Sequence, residues 1–373
     1  MGVTSRAAVL QAFHQLPQLA RFDVPEPEPG ACVVQVLYGG ICGTDVHLYH
    51  GRLPIPTPVV LGHEGVGRVW RLGEGLRHDL TGQELREGDL VSWASSIPCG
   101  RCYWCLVRQE RTLCTNRRVY GINQRADVWP HLSGSWADFI YLQPGSAIFR
   151  VPDGVTPEQV AALGCAGPTV VHGLLHEMGL EFGSTVLVQG AGPVGMAAAM
   201  YARLYGAQRV ILVGGPAGRL ELARQMGVAD VFVDIFEVTD PAERIARVLQ
   251  ATGGRGADAG VECTGVPAAV AEGLEMVRPA GRYLVLGQYT DQGPVQLRPH
   301  LITRKQLRLY GSWAFAERHY ADYVRSLPAL AGRFPLERLV RPYPLEQVGR
   351  ALQDVEAGQV MKALLVGQGA GGP

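Results

Sequence analysis

The chain has 373 residues and is 47% apolar, more than a single hydrophobic core normally accommodates, so two well-buried domains are expected. Its 34 basic and 34 acidic residues cancel to zero formal net charge, which excludes a global basic field for nucleic acid or an anionic membrane and suits small neutral substrates. Lysine occurs only as Lys305 and Lys362 and asparagine only as Asn116 and Asn123, a bias that reads as base composition or adaptation to heat rather than function.

Residues 1–10 hold Arg6 but no apolar core followed by a small-residue cleavage site, so no secretory signal is expected. Up to about residue 143, short β-branched runs broken by Gly and Pro, at 33–38, 65–72, 90–92 and 137–142, predict an antiparallel β domain with long loops. After Pro157 the texture changes. Strands are expected at 185–189, 209–213, 231–234, 258–262, 282–286 and 307–310, alternating with helices at about 193–205, 218–226, 241–251 and 267–277. That rhythm is the βαβ alternation of an α/β protein with a doubly wound parallel sheet. The uncharged run 182–202 has the length of a membrane span, but the glycines and proline at 190–195 make it a strand, a tight turn and a buried helix. From residue 311 the texture is mixed again. It ends in an apolar run at 360–366, expected to be a strand rejoining the first domain, and a Gly-rich tail at 367–373, expected to fray.

Eight cysteines, four of them between Cys99 and Cys114, read as metal thiolates in a reducing compartment rather than as a disulfide framework, and a cytoplasmic location follows. Cys99, Cys102, Cys105 and Cys114 have the spacing C-x2-C-x2-C-x8-C. Four thiolates in so short a loop enclose one zinc tetrahedrally and leave no place for water, which makes the site structural. The rival reading is a nucleic-acid module using Arg101, Arg108, Arg111, Arg117 and Arg118, with Tyr103 and Trp104 stacking on bases. The absence of a basic domain charge weighs against it.

Gly190-Ala191-Gly192-Pro193-Val194-Gly195 matches G-x-G-x-x-G between an apolar strand and an Ala-rich helix. In that context Gly190 permits the turn, Gly192 lets the backbone approach a pyrophosphate and Gly195 lets helix pack on strand. An acidic residue about 20 residues on normally takes the ribose hydroxyls of NAD. Here the second strand runs into Gly214-Gly215-Pro216 without a carboxylate. Arg219 follows closely, either as a partner for a 2′-phosphate or as a cover for the adenine, which leaves NAD and NADP nearly level.

Cys42 and His63 stand in Cys42-Gly43-Thr44-Asp45-Val46-His47 and Gly62-His63-Glu64. Asp45 is placed to hydrogen-bond the second nitrogen of His63, and Glu64 to approach the metal when its fourth ligand exchanges. Cys165, in Cys165-Ala166-Gly167-Pro168-Thr169, is either a third ligand or a small apolar residue before a helix. Three protein ligands leave a tetrahedral zinc one open position, the mark of a catalytic site.

Together, in this order and spacing, these motifs resemble the zinc-dependent medium-chain alcohol dehydrogenases and their threonine and polyol dehydrogenase relatives, over almost the whole chain. The resemblance implies a GroES-like β domain built from 1–165 (zinc lobe about 95–116) and 311–373, with a Rossmann domain over 166–310 between. It implies two zincs per chain, with Cys165 completing the catalytic set, and hydride transfer between an alcohol carbon and a nicotinamide, leaning to NAD. Thr44 would take the hydroxyl proton and pass it through the cofactor ribose to His47 and water, roles suited to a hydroxyl and an imidazole. Thr169 matches a nicotinamide-side contact and Lys362 a pyrophosphate contact. A homodimer or homotetramer without nucleic-acid or membrane partners is expected. The loop from Cys105 to Cys114 is one residue longer than the common spacing, and Cys165 stands where the polyol and threonine enzymes often carry glutamate, which favours general alcohol dehydrogenases.

Trp93, Trp129, His131, Trp136 and Trp313 either wall an apolar pocket over the zinc or belong to plain β-domain core. The first reading predicts medium or bulky hydrophobic primary or secondary alcohols. Alternatives are a carbonyl reductase working in the reverse direction, a polyol- or threonine-type dehydrogenase, and a non-catalytic cofactor-sensing protein.

Overall fold

The computed structural model describes residues 2–370, which divide into two compact units. One holds the chain up to Cys165, Ala316–Ala331 and the segment from Leu336 onward; the other holds Ala166–Phe315 and Gly332–Pro335.

The first unit contains strands β1 (Thr4–Leu10), β2 (Gln18–Asp23), β3 (Cys32–Ile41), β4 (Val59–Val60), β5 (Gly65–Leu72), β6 (Leu90–Trp93), β7 (Ser96–Ile97), β8 (Arg118–Val119), β9 (Phe139–Leu142) and β10 (Ile148–Arg150). The late strands β17 (Val340–Pro344) and β18 (Lys362–Val366) join them, with helices α1 (Gly43–Tyr49), α2 (Pro157–Ala162), α9 (Glu317–Arg333) and α10 (Val348–Glu356). The main sheet runs β10-β6-β5-β3-β18-β17, with β9 pairing β3 as well. All its pairs are antiparallel except β17 with β18. That exception follows from the connection: α10 is the crossover that a parallel pair requires. Ala363 lies opposite Ile41, which brings Lys362 to the end of β3, where Cys42 opens α1.

The tail does not fray from its first residue, because Gly367 N–H donates to the Leu37 carbonyl at 3.0 Å and Gln368 N–H to Asp138 Oδ1 at 3.0 Å. The remainder of the tail, 371–373, lies outside the described residues.

The second unit contains α3 (Ala166–Val170), β11 (Thr185–Gln189), α4 (Pro193–Leu204), β12 (Arg209–Gly214), α5 (Ala217–Gln225), β13 (Val231–Asp234), α6 (Pro241–Ala251), β14 (Ala257–Glu262), α7 (Pro267–Met276), β15 (Val277–Val285), α8 (Pro299–Lys305) and β16 (Arg308–Gly311). Its sheet, ordered β13-β12-β11-β14-β15-β16, is parallel throughout. This is the dinucleotide-type order, with the crossover between β11 and β14. Val186, Leu187 and Val188 are fully buried, as expected of a central strand covered on both faces, where the sequence reads as a continuous apolar run. Several helices open with proline in the first turn, where the missing N–H costs no intrahelical bond, and Asp240 caps α6 by accepting from Ala242 N–H at 3.1 Å.

The strand expected at 282–286 is longer than predicted. β15 starts at Val277 and pairs with β14 through an irregularity at Pro279-Ala280-Gly281, with Ala280 at φ 57°. Proline and a left-handed residue read as a turn, and here they form a bulge inside one strand. Among the described residues no helix is long and apolar enough to cross a membrane.

Candidate active site and metal centres

Cys42 is the N-cap of α1, in extended conformation. Its own N–H donates to Asp45 Oδ2 at 2.9 Å, so the acidic side chain closes the first turn and fixes the direction of the thiol. The other oxygen, Asp45 Oδ1, is 3.2 Å from His63 Nδ1. His63 Nε2 is 3.4 Å from Cys42 Sγ. Asp45 therefore aims the imidazole at the thiol from a fully buried position, the outer support that fixes the tautomer of a metal-ligating histidine. Gly62 precedes His63 at φ +92°, and a Cβ there would lie 2.3 Å from Trp136 Cδ1; only glycine carries the chain through this turn.

The ligand atoms of Cys42, His63 and Cys165 lie within 4.8 Å of one another. A hydrogen bond from the Cys165 thiol and the neighbouring His63 hold Cys42 well below the ordinary thiol range against the effect of burial, while Cys165, which keeps that proton, is raised. Burial would lower the His63 pKa, but Asp45 and Cys42 overcome it and raise it. Two thiols and an imidazole gathered this tightly are a donor set that a divalent cation binds by displacing protons.

Glu64 and Lys362 form a buried ion pair at the same place. Glu64 Oε2 is buried without a hydrogen-bond partner, and a second donor group within 4.8 Å consists of Cys42, Asp45, His63 and Glu64. The donor set and the orphaned carboxylate oxygen both fit a cation. Lys362, expected at the pyrophosphate, stands here beside Glu64. It is 2% exposed, and burial, which alone would lower its pKa, is overcome by Glu64, Cys42 and Cys165. The strand register starts β18 beside Cys42 and brings the Lys362 ammonium to Glu64.

Thr44 is half-buried in the first turn of α1. His47 lies in the last turn, with Nδ1 3.3 Å from Arg52 Nη1. Burial, Arg52 and His50 lower its pKa, with Cys42 opposing. The Arg52 contact has no motif behind it and was not visible in the sequence. Thr169 is half-buried in α3 of the second unit.

Ligand atoms of Cys99, Cys102, Cys105 and Cys114 also gather within 4.8 Å. Cys99 N–H donates to Cys114 Sγ at 3.3 Å, and the backbone N–H of Arg101 holds the Cys99 thiol down to about 6. Burial pushes Cys105 up to about 12. Around them Tyr103, Leu106 and Val107 are 56%, 63% and 67% exposed, so the lobe lacks an apolar core and a tetrahedral cation is its cross-link. All eight cysteines are free of disulfides. Several of the lobe's arginines serve the protein itself: Arg111 pairs with Glu317, Arg117 donates to the Thr112 carbonyl and Arg118 to Gln143.

In the second unit Gly190 turns at φ +111° and its N–H donates to the Val213 carbonyl at 2.7 Å. A Cβ on Gly195 would lie 1.8 Å from the Gly190 carbonyl oxygen, so α4 packs on the turn only through glycine. Gly192 is the N-cap of α4, followed by Pro193 and Val194, and the nearest atom to a Cβ there is Arg219 Nη1 at 3.9 Å. Arg219 Nε is buried without a partner. An open glycine N-cap with an unpaired cation beside it is a cradle that a pyrophosphate-bearing cofactor fits. At the end of β12 a Cβ on Gly214 would lie 2.7 Å from Ala191 N. Asp234, which no motif singled out, stands opposite Gly214 in the β12/β13 register.

Two of the aromatics that the sequence leaves as either pocket wall or plain core are core. Trp93 and Trp136 are fully buried in separate clusters of the β-unit core, with Trp136 Nε1 donating to the Gly40 carbonyl at 2.9 Å. Trp129 packs edge-on against Tyr141 at 5.2 Å and His131 stacks on Phe22 at 5.7 Å. Trp313 belongs to the second unit and is 42% exposed. Bulk alone could not separate core from pocket.

Residues 28–153 match the family model described as the alcohol dehydrogenase GroES-like domain, and residues 193–329 match the zinc-binding dehydrogenase model. The chain is 36% identical over 365 residues to 5-exo-hydroxycamphor dehydrogenase of Pseudomonas putida, covering 97% of this chain and 98% of that one. It is 33% identical to L-threonine 3-dehydrogenase of Pyrococcus horikoshii over 79% of this chain and 78% of the relative. The solved structure of an alcohol dehydrogenase from Thermotoga maritima superposes with a TM-score of 0.92 at 35% identity, covering 98% of this chain and all of that one. Matches to both models and across nearly the full length of a relative place the chain in the zinc-dependent medium-chain dehydrogenase/reductase superfamily, as a zinc-dependent alcohol/polyol dehydrogenase with a GroES-like and a Rossmann domain.

Proposed function

We propose that this dehydrogenase moves hydride between a hydrophobic primary or secondary alcohol and NAD(P), giving an aldehyde or ketone. The observation that carries the reading is the contrast between two donor sets in one chain. Cys99, Cys102, Cys105 and Cys114 supply four thiols to one centre and close it, whereas Cys42, His63 and Cys165 supply three and leave a position for a substrate oxygen. A zinc held by those three supplies Lewis-acid polarisation of that oxygen.

The chain's own residues do the rest. Asp45 holds the His63 ring in the ligating orientation. Thr44, whose hydroxyl both donates and accepts, takes the alcohol proton, and His47 delivers it to water. Gly190, Gly192 and Gly195 form the turn that admits the dinucleotide, with Arg219 beside Gly192 and Thr169 on the nicotinamide side. Glu64 Oε2 is a spare donor for ligand exchange, and Lys362 balances its charge.

The hydrophobic substrate class does not rest on the tryptophans, two of which are core. Its support is the hydroxycamphor dehydrogenase, which by name acts on a bulky alicyclic alcohol and matches this chain end to end. A panel of alicyclic, benzylic, small aliphatic and polyol alcohols, with threonine, assayed with both cofactors tests it. The reading predicts the highest kcat/KM for the bulky apolar alcohols; highest efficiency with polyols or threonine contradicts it.

A further inference from the structure

The end of β12 lacks the carboxylate that normally receives the adenosine ribose, and its geometry forbids one there. A Cβ on Gly214 would lie 2.7 Å from Ala191 N and 3.0 Å from Ala191 Cβ, and a Cβ on Gly215 would lie 2.6 Å from the Phe236 ring. Backbone closes Gly214 to a side chain, and at Gly215 a side chain would have to displace the Phe236 ring. The neighbouring strand fills the gap. Gly214 and Asp234 are register partners in a parallel pair, so their side-chain directions share one face of the sheet, about 5 Å apart. Asp234 Oδ1 lies 3.3 Å from the point where a Cβ of Gly215 would be, held there by the N–H of Phe236 at 2.8 Å.

We propose that Asp234 is the ribose-recognition residue of this chain, supplied from β13 in place of β12, and that it selects NAD over NADP. This rests on the dinucleotide reading given above. A carboxylate accepts hydrogen bonds from the two ribose hydroxyls but repels a 2′-phosphate, which is dianionic near neutral pH. Arg219 Nη1 lies 3.9 Å from the Cβ position of Gly192, on the phosphate turn. Arg219 thus serves the pyrophosphate that both cofactors share, and Asp234 reads the group in which they differ. The exposed Phe236 ring covers Gly215.

The test is direct binding, without substrate. Titration of the zinc-loaded protein with NADH and with NADPH, followed by nicotinamide fluorescence, is expected to give tighter binding of NADH by about tenfold or more, the worth of charge-assisted hydrogen bonds. Asp234→Asn keeps the shape and the acceptor for Phe236 N–H; it is expected to lose most of that discrimination through tighter NADPH binding. Arg219→Ala is expected to weaken both cofactors by a similar factor. Should the Asn variant fold poorly, discrimination by the unmodified protein read against salt serves instead, since screening a repulsion narrows the gap. Tighter NADPH binding by the unmodified protein, or unchanged discrimination in Asp234→Asn or with salt, overturns the role of Asp234 while leaving the dehydrogenase reading intact. Failure to bind either dinucleotide overturns both.

Discussion

Lys362 and Glu64, 298 residues apart, form an ion pair in which the side chains are 3% and 2% exposed. The pair ties the C-terminal strand to the segment that carries His63, because the β18 register places Lys362 opposite Cys42. Replacing one partner leaves the other as an uncompensated buried charge, a loss of about 3–5 kcal/mol, whereas removing both is far milder. Lys362→Met is therefore expected to lose stability on that scale in urea unfolding, and Lys362→Met with Glu64→Gln to recover most of it. Equal losses in the single and double variants would count against the pairing.

The four-cysteine lobe has little apolar burial, so its order depends on the metal. Arg101 and Arg108 are exposed on it. Trypsin is expected to leave the zinc-loaded lobe intact and to cut within 99–114 once chelation removes the metal. Cys102→Ser should show the same sensitivity without chelator. A lobe equally resistant with and without zinc would contradict the cross-link.

His47 has a lowered pKa, to which burial, Arg52 and His50 contribute. A lowered histidine stays neutral, and able to accept a proton, to lower pH than an ordinary one. Removing Arg52 by Arg52→Ala raises the pKa, so the neutral form begins to disappear at higher pH. The acid limb of the kcat/KM profile is then expected to move towards alkaline pH, with the limiting rate near its original value. A shift towards acid would refute the influence of Arg52.

Gly195→Ala introduces a Cβ 1.8 Å from the Gly190 carbonyl oxygen, backbone that cannot yield as a flexible side chain does. It is expected to destabilise the second unit by at least about 1–3 kcal/mol and to abolish NADH binding, measured by thermal unfolding and fluorescence titration. Wild-type binding in this variant would show that the turn is not the cofactor cradle.

What was legible in the sequence is what local chemistry dictates. The strands 185–189 and 231–234 and the helix 241–251 have the predicted ends; for 185–189 the reason is that a buried central parallel strand is a continuous apolar run, and for the helix that Asp240-Pro241 is a cap followed by a proline that helices tolerate. The cysteine spacing gave the closed cluster for the same reason. Illegible were the relations that depend on pairing between distant strands. The burial of Lys362 follows from Ala363 meeting Ile41, and the position of Asp234 from its register with Gly214; neither leaves a local mark. Trp93 and Trp136 stayed ambiguous because indole bulk serves a core as well as a pocket. Pro279-Ala280-Gly281 hid the start of β15 because a bulge and a strand end use the same residues.

Zinc content and turnover of the Cys42→Ala variant, measured together, test the central claim most directly. The account predicts two zincs per chain in the unmodified protein and one in the variant, with circular dichroism unchanged and alcohol oxidation lost. A variant that retains both zincs and oxidises alcohol at the original rate would contradict it.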